Sequence, residues 1–204
     1  MSVLQIPAQD TIRHIRRIQT ITICWMIVEA TASLAAAWMA RSPALLAFGG
    51  DSAIELLSAI LVLWRFRAHA AQEQSENLAA RVAGVLLFML AAYVGVASVM
   101  TLSGHSEPKT TYLGIAILIA AAAIMPWLAK EKRRLSAITG SAALRADAAE
   151  SALCGYLSLV ALVGLGSNAI WHLRWADPIA ALVIVPLILW EGWEAARGKS
   201  CGCC

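Results

Sequence analysis

The chain is a succession of apolar runs, each of bilayer length, joined by short polar turns. About 20 apolar residues suffice to cross the hydrocarbon core. Six runs of that length can be drawn, over 19–40, 43–66, 82–102, 111–129, 142–168 and 178–197. Little of the 204 residues is left over for a soluble domain. Hydrophobic residues make up 60% of the chain and the mean hydropathy is +0.70, well outside the range of soluble domains. The expected fold is an all-α membrane protein, a six-transmembrane-helix bundle. A polar arm (1–18) precedes the helical domain (19–197), and a short Cys-rich tail (198–204) follows it. The first run is too long for the core of a cleaved signal peptide and reads as a retained span.

The basic residues set the orientation. Twelve Lys and Arg fall in the N-terminal arm, the second and fourth connections and the C-terminus. Three fall on the opposite side (Arg41, Lys109 and Arg174), and Arg145 lies near the start of the fifth span. Both termini are therefore expected in the cytoplasm, which requires an even number of spans. This pattern accounts for the net charge of +3 without any nucleic-acid partner. Arg41-Ser42-Pro43 marks a tight outer turn and 103–110 an outer loop. Asp177-Pro178 reads as a helix start, with Asp as cap and Pro at the first helical position. Trp171 and Trp175 suit the outer interface, and Trp190 and Trp193 the inner one.

Within these apolar runs lie two acidic pairs, Asp51 with Glu55 and Asp147 with Glu150. A carboxylate in the hydrocarbon layer costs about 2.5–3.5 kcal/mol on insertion scales unless it faces a bundle interior, water or a cation. Asp51 and Glu55, spaced i,i+4, share a helix face. Asp147, Glu150 and Cys154, at i, i+3 and i+7, form a second stripe. The second and fifth spans run antiparallel, which puts Asp51 level with Cys154 and Glu55 level with Glu150. Three carboxylates and a thiolate then converge, a donor set suited to a tetrahedral divalent metal such as zinc, cadmium or ferrous iron. Asp147, nearest the cytoplasmic end, is placed to line the entrance. In the structural alternative each carboxylate is satisfied by a serine, a backbone amide or an arginine, as Arg145 would satisfy Asp147.

At these residues the sequence resembles the cation diffusion facilitator family. The stretch GGDSAIELLSA is similar to the family's helix-two motif, Asp-x-x-x-Asp or His-x-x-x-Asp, with Asp51 and Glu55 in the two ligand places. SAALRADAAESALC is similar to the helix-five motif, with Glu150 where the family has histidine and Cys154 where it has aspartate. WADPIAALVIV, at 175–185, resembles the start of helix six. The resemblance implies a six-helix transporter that binds a divalent metal between helices two and five. It further implies proton-coupled efflux by alternating access across the plasma (bacterial inner) membrane, with the metal as substrate, no cofactor, and a homodimer. Two departures stand out. The helix-five pair is Glu and Cys, so zinc selectivity does not carry over. The sequence also ends just after the sixth span, so the cytoplasmic ferredoxin-like domain of many members is expected to be missing and dimerisation to fall to the membrane helices.

Other residues admit two readings. Glu29, mid-way along the first span, is either a proton carrier, support or extra ligand, or a buried glutamate satisfied by hydrogen bonds. Cys201, Cys203 and Cys204 offer a soft-metal chelate, a lipidation site or a tail with no dedicated role. Glu191 and Glu194 read as a negative vestibule at the inner end of span six, or as interfacial residues. The four histidines lie in loops or at span ends, none placed like a transport ligand. The expected function is divalent-metal transport. The alternatives are a membrane-embedded metal sensor or binding partner without transport, and an intramembrane acidic-dyad enzyme. The last is disfavoured by ligand-like spacing and the lack of a nucleophile–base pair.

Overall fold

The computed structural model describes residues 9–67, 72–105, 107–139 and 142–196. The expectations for the first eight residues, His69 and the Cys201–Cys204 tail lie outside them. Among the described residues there are six helices and no strand: α1 (Gln9–Ala40), α2 (Pro43–Arg67), α3 (Gln72–Leu102), α4 (Tyr112–Thr139), α5 (Ala142–Trp171) and α6 (Ala176–Ala196). Five of them are long and apolar enough to cross a membrane, and the protein is a multi-pass membrane protein. Several helices run past the expected spans. α1 begins ten residues before residue 19, and α4 continues ten beyond 129. Hydropathy marks only the apolar part of a helix, whereas the backbone ladder continues through polar residues.

α2 is the central helix and packs on α1, α3, α5 and α6, while α4 pairs with α5 and α3 with α6. Ser42 and Pro43 start it: the Ser42 hydroxyl accepts from the Leu45 N–H at 3.1 Å, with Pro at the first helical position. The preceding turn is closed by Arg41 in the left-handed region, φ 50°. Gly49 permits the closest approach to α1. A Cβ there would meet Ser33 Oγ at 2.4 Å and the Leu34 backbone N at 3.1 Å. α3 and α6 meet similarly at Gly84, where a Cβ would lie 2.8 Å from the Gly192 carbonyl oxygen and 2.9 Å from the Ala196 backbone N. Small residues at such crossings let membrane helices touch backbone to backbone.

The start of α6 differs from its sequence reading. Asp177 lies inside the first turn of α6 rather than capping it, and Pro178 is the third helical residue. Asp177 is fully buried and accepts a hydrogen bond from Ser42 Oγ at 2.6 Å and another from the Ala44 backbone, tying α6 to the start of α2. At the same end, Lys109 N–H donates to the Ala40 carbonyl at 2.7 Å, Asn168 donates to the Pro108 carbonyl at 3.2 Å, and Arg174 pairs with Glu107. Trp38, Tyr112, Trp171 and Trp175 are exposed around this end, and Trp127, Trp190 and Trp193 towards the other. Two aromatic belts of this kind mark the edges of the hydrocarbon layer.

Candidate metal centre

α2 presents consecutive residues to different neighbours. Gly49 meets α1, Gly50 meets Leu90 of α3, and Asp51 turns inward. Ser52 meets α1 and α5. One turn on from Asp51, Glu55 lies on the same face. Asp51, Glu55 and Glu191 of α6 come together, each offering a carboxylate oxygen within 4.8 Å of the others. Glu191 hydrogen bonds with the carboxyl groups of both Asp51 and Glu55. Asp51 is 1% exposed, yet its Oδ1 has no hydrogen-bond partner, and neither has the buried Oε2 of Glu191. Buried polar oxygens are nearly always paired. Three clustered carboxyl groups with two open acceptor oxygens are chemically suited to take up a proton or a cation.

A second polar cluster adjoins the first. Glu29 of α1, fully buried, accepts from three donors: Cys154 Sγ at 3.0 Å, Ser52 Oγ at 2.8 Å and Trp25 Nε1 at 2.5 Å. Cys154 Sγ also lies 3.8 Å from the Oγ of Ser52, the residue after Asp51 on α2. Of the two readings of Glu29, the hydrogen-bonded one describes its contacts here. It joins α1, α2 and α5 through side chains.

The remaining sequence-selected residues separate. Glu150 has an exposed side chain on α5, although it remains within electrostatic range of Asp51 and Glu55. Asp147 joins a third network. Its Oδ1 accepts from Lys132 Nζ of α4 at 2.8 Å and its Oδ2 from Gln19 Nε2 of α1 at 2.7 Å, while Arg145 is exposed. Lys132, fully buried, also donates to Ser151 Oγ at 2.9 Å. His14 and Glu131 bridge α1 and α4 nearby at 2.9 Å. The structure thus brings together Asp51 and Glu55, sets Cys154 in the adjoining pocket, and places Glu150 and Asp147 elsewhere on α5.

Glu191 and Lys132 are the residues that sequence reasoning left at the periphery. Both continue buried helical stripes. On α6, Asp177, Ala181, Ile184 and Ile188 lead to Glu191; on α4, Ala121, Met125, Leu128 and Ala129 lead to Lys132. Extending each apolar stripe by one turn would have found them.

The comparisons with known proteins agree with this architecture. A family model described as the cation efflux transmembrane domain matches residues 20–199. Over 156 residues the chain is 27% identical to an uncharacterized transporter of Synechocystis sp., covering 72% of this chain and 50% of that protein. The chain therefore spans half the length of this curated relative. With the family model matched across nearly all of the helical bundle, the chain belongs to the cation efflux family.

Proposed function

We propose that this chain moves a divalent metal ion, zinc or another transition or heavy metal, out of the cytoplasm across the plasma membrane in exchange for protons. The single observation that carries this reading is the carboxylate cluster inside an apolar bundle. Asp51 and Glu55 lie within ligand distance of a third carboxylate, with buried acceptor oxygens left open. In a low-dielectric surrounding, mutual repulsion of such groups is relieved only by protons or a cation. The two compete for the same oxygens, so metal capture releases protons and proton arrival releases metal.

In the proposed cycle Asp51 and Glu55 hold the ion throughout. Cys154 faces α2 and Glu150 lies one turn away on α5 with its side chain exposed, so rocking of α5 adds them to the ion's shell or withdraws them. Asp147 and Lys132 tie α5 to α4 beside this path. With both termini in the cytoplasm, the Asp147–Lys132 tie lies on the cytoplasmic side of the carboxylate cluster. The name of the family supports the outward direction, and two copies are proposed to pair through their membrane helices. The test is uptake of zinc, cadmium, iron, cobalt and manganese by liposomes containing the purified protein. Uptake of at least one metal above empty liposomes is expected. Tight binding without uptake of any would instead indicate a membrane-embedded metal-binding protein.

A further inference from the structure

We infer that Glu191 of α6 is a third ligand to the transported ion, so that in this conformation the site spans α2 and α6 and offers a carboxylate-only shell. The inference rests on the transport reading above and adds a residue and a cation class to it. α6 aims the side chain. Gly192 lies against α3, where the Gly84 crossing fixes the rotation of the helix. Trp190 and Trp193 are exposed on the outer face. Glu191, between these directions, meets Asp51 and Glu55 on α2.

Among the described residues three buried side-chain oxygens lack a hydrogen-bond partner: Asp177 Oδ2, which stands apart at the start of α6, and one each on Glu191 and Asp51, which share a single cluster. Glu191 Oε2 is buried without a partner, as is Oδ1 of Asp51, which is almost wholly buried in the same cluster. Two open acceptors within one group of three carboxylates are a cation's coordination sites. The sulfur that would favour a soft metal is engaged elsewhere, since Cys154 donates to Glu29. Oxygen-only shells suit harder cations such as manganese, whereas thiolate and imidazole favour softer or borderline ones such as cadmium and zinc. With Cys154 outside the shell in this conformation, the site as it stands prefers an oxygen-seeking divalent cation, manganese ahead of zinc and cadmium.

The test uses the full chain, purified in detergent and in liposomes, with manganese, zinc and cadmium as probes. Wild type is compared with Asp51→Asn, Glu191→Gln, Glu191→His and the neighbouring control Glu194→Gln. Glu191→Gln is expected to weaken manganese binding about tenfold or more, since even outer-shell changes cost that much at metal sites. Glu191→His is expected to shift the binding order from manganese towards zinc, and Glu194→Gln to leave the order unchanged. A purely structural role predicts no change of order. Wild-type order in Glu191→His, with binding lost in Asp51→Asn, overturns the inference and leaves the transport reading standing. If Glu191→Gln reduces folded protein, the order measured on folded Glu191→His decides. Absence of binding and uptake of every metal in wild type overturns the transport reading itself, and the inference with it.

Discussion

At the scale of single residues, the placement of charge inside the bundle separates ligands from ties. Lys132 is fully buried, and Asp147 is its anionic partner. Removing one member of a buried ion pair leaves an uncompensated charge and costs about 3–5 kcal/mol. Asp147→Ala should therefore lower thermal stability strongly, and adding Lys132→Met should recover part of the loss. Metal order should stay unaltered in the folded fraction. An unshifted unfolding temperature in Asp147→Ala would show that the pair does not hold α4 to α5. The Asp51/Glu55 pair was legible in sequence because i,i+4 acids within an apolar run have no cheap alternative to facing inward. Lys132 was not, because it sits in Lys130-Glu131-Lys132-Arg133-Arg134, which reads as a solvated basic cluster. Glu191 was hidden in the same way by its position near the end of the last apolar run. In both cases the inward direction comes from the helix stripe rather than from local composition.

At the scale of helices, backbone crossings decide which side chains meet. α2 reaches α1 through Gly49, and α3 reaches α6 through Gly84. The atoms that would oppose a Cβ at Gly84 are all backbone, which cannot swing aside. Gly84→Ala should force α3 and α6 apart at a cost of about 1–3 kcal/mol, the range for overpacking. Metal affinity should fall with it, because Glu191 moves with α6. Thermal unfolding and metal titration of the same preparation check this; wild-type values in both would show that the crossing does not position the site. Helix number and order could be read from hydropathy, since each apolar run needs its own span. Helix ends could not, as the extensions of α1, α3 and α4 are polar and invisible to an apolar count. The role of Asp177 also needed the tertiary structure: its partners, Ser42 and Ala44, are 130 or more residues away in sequence.

At the scale of the whole molecule, six helices place a charged centre among apolar surfaces suited to lipid. The antiport reading predicts a direction. Protons leaving an acidic vesicle lumen should drive metal in, so uptake should accelerate when the lumen is more acidic than the bath and slow when the gradient is collapsed by an ionophore. Uptake indifferent to the gradient would remove protons from the cycle while leaving metal transport intact. The central claim, that a carboxylate centre on α2 carries the ion, is tested most directly by Asp51→Asn. The amide keeps the shape of the side chain and removes its charge. The measurement is the initial rate of metal uptake into liposomes at saturating metal, for wild type and for a variant shown to be equally inserted and folded. Loss of uptake to the level of empty liposomes is predicted, and a wild-type rate in Asp51→Asn would contradict the account.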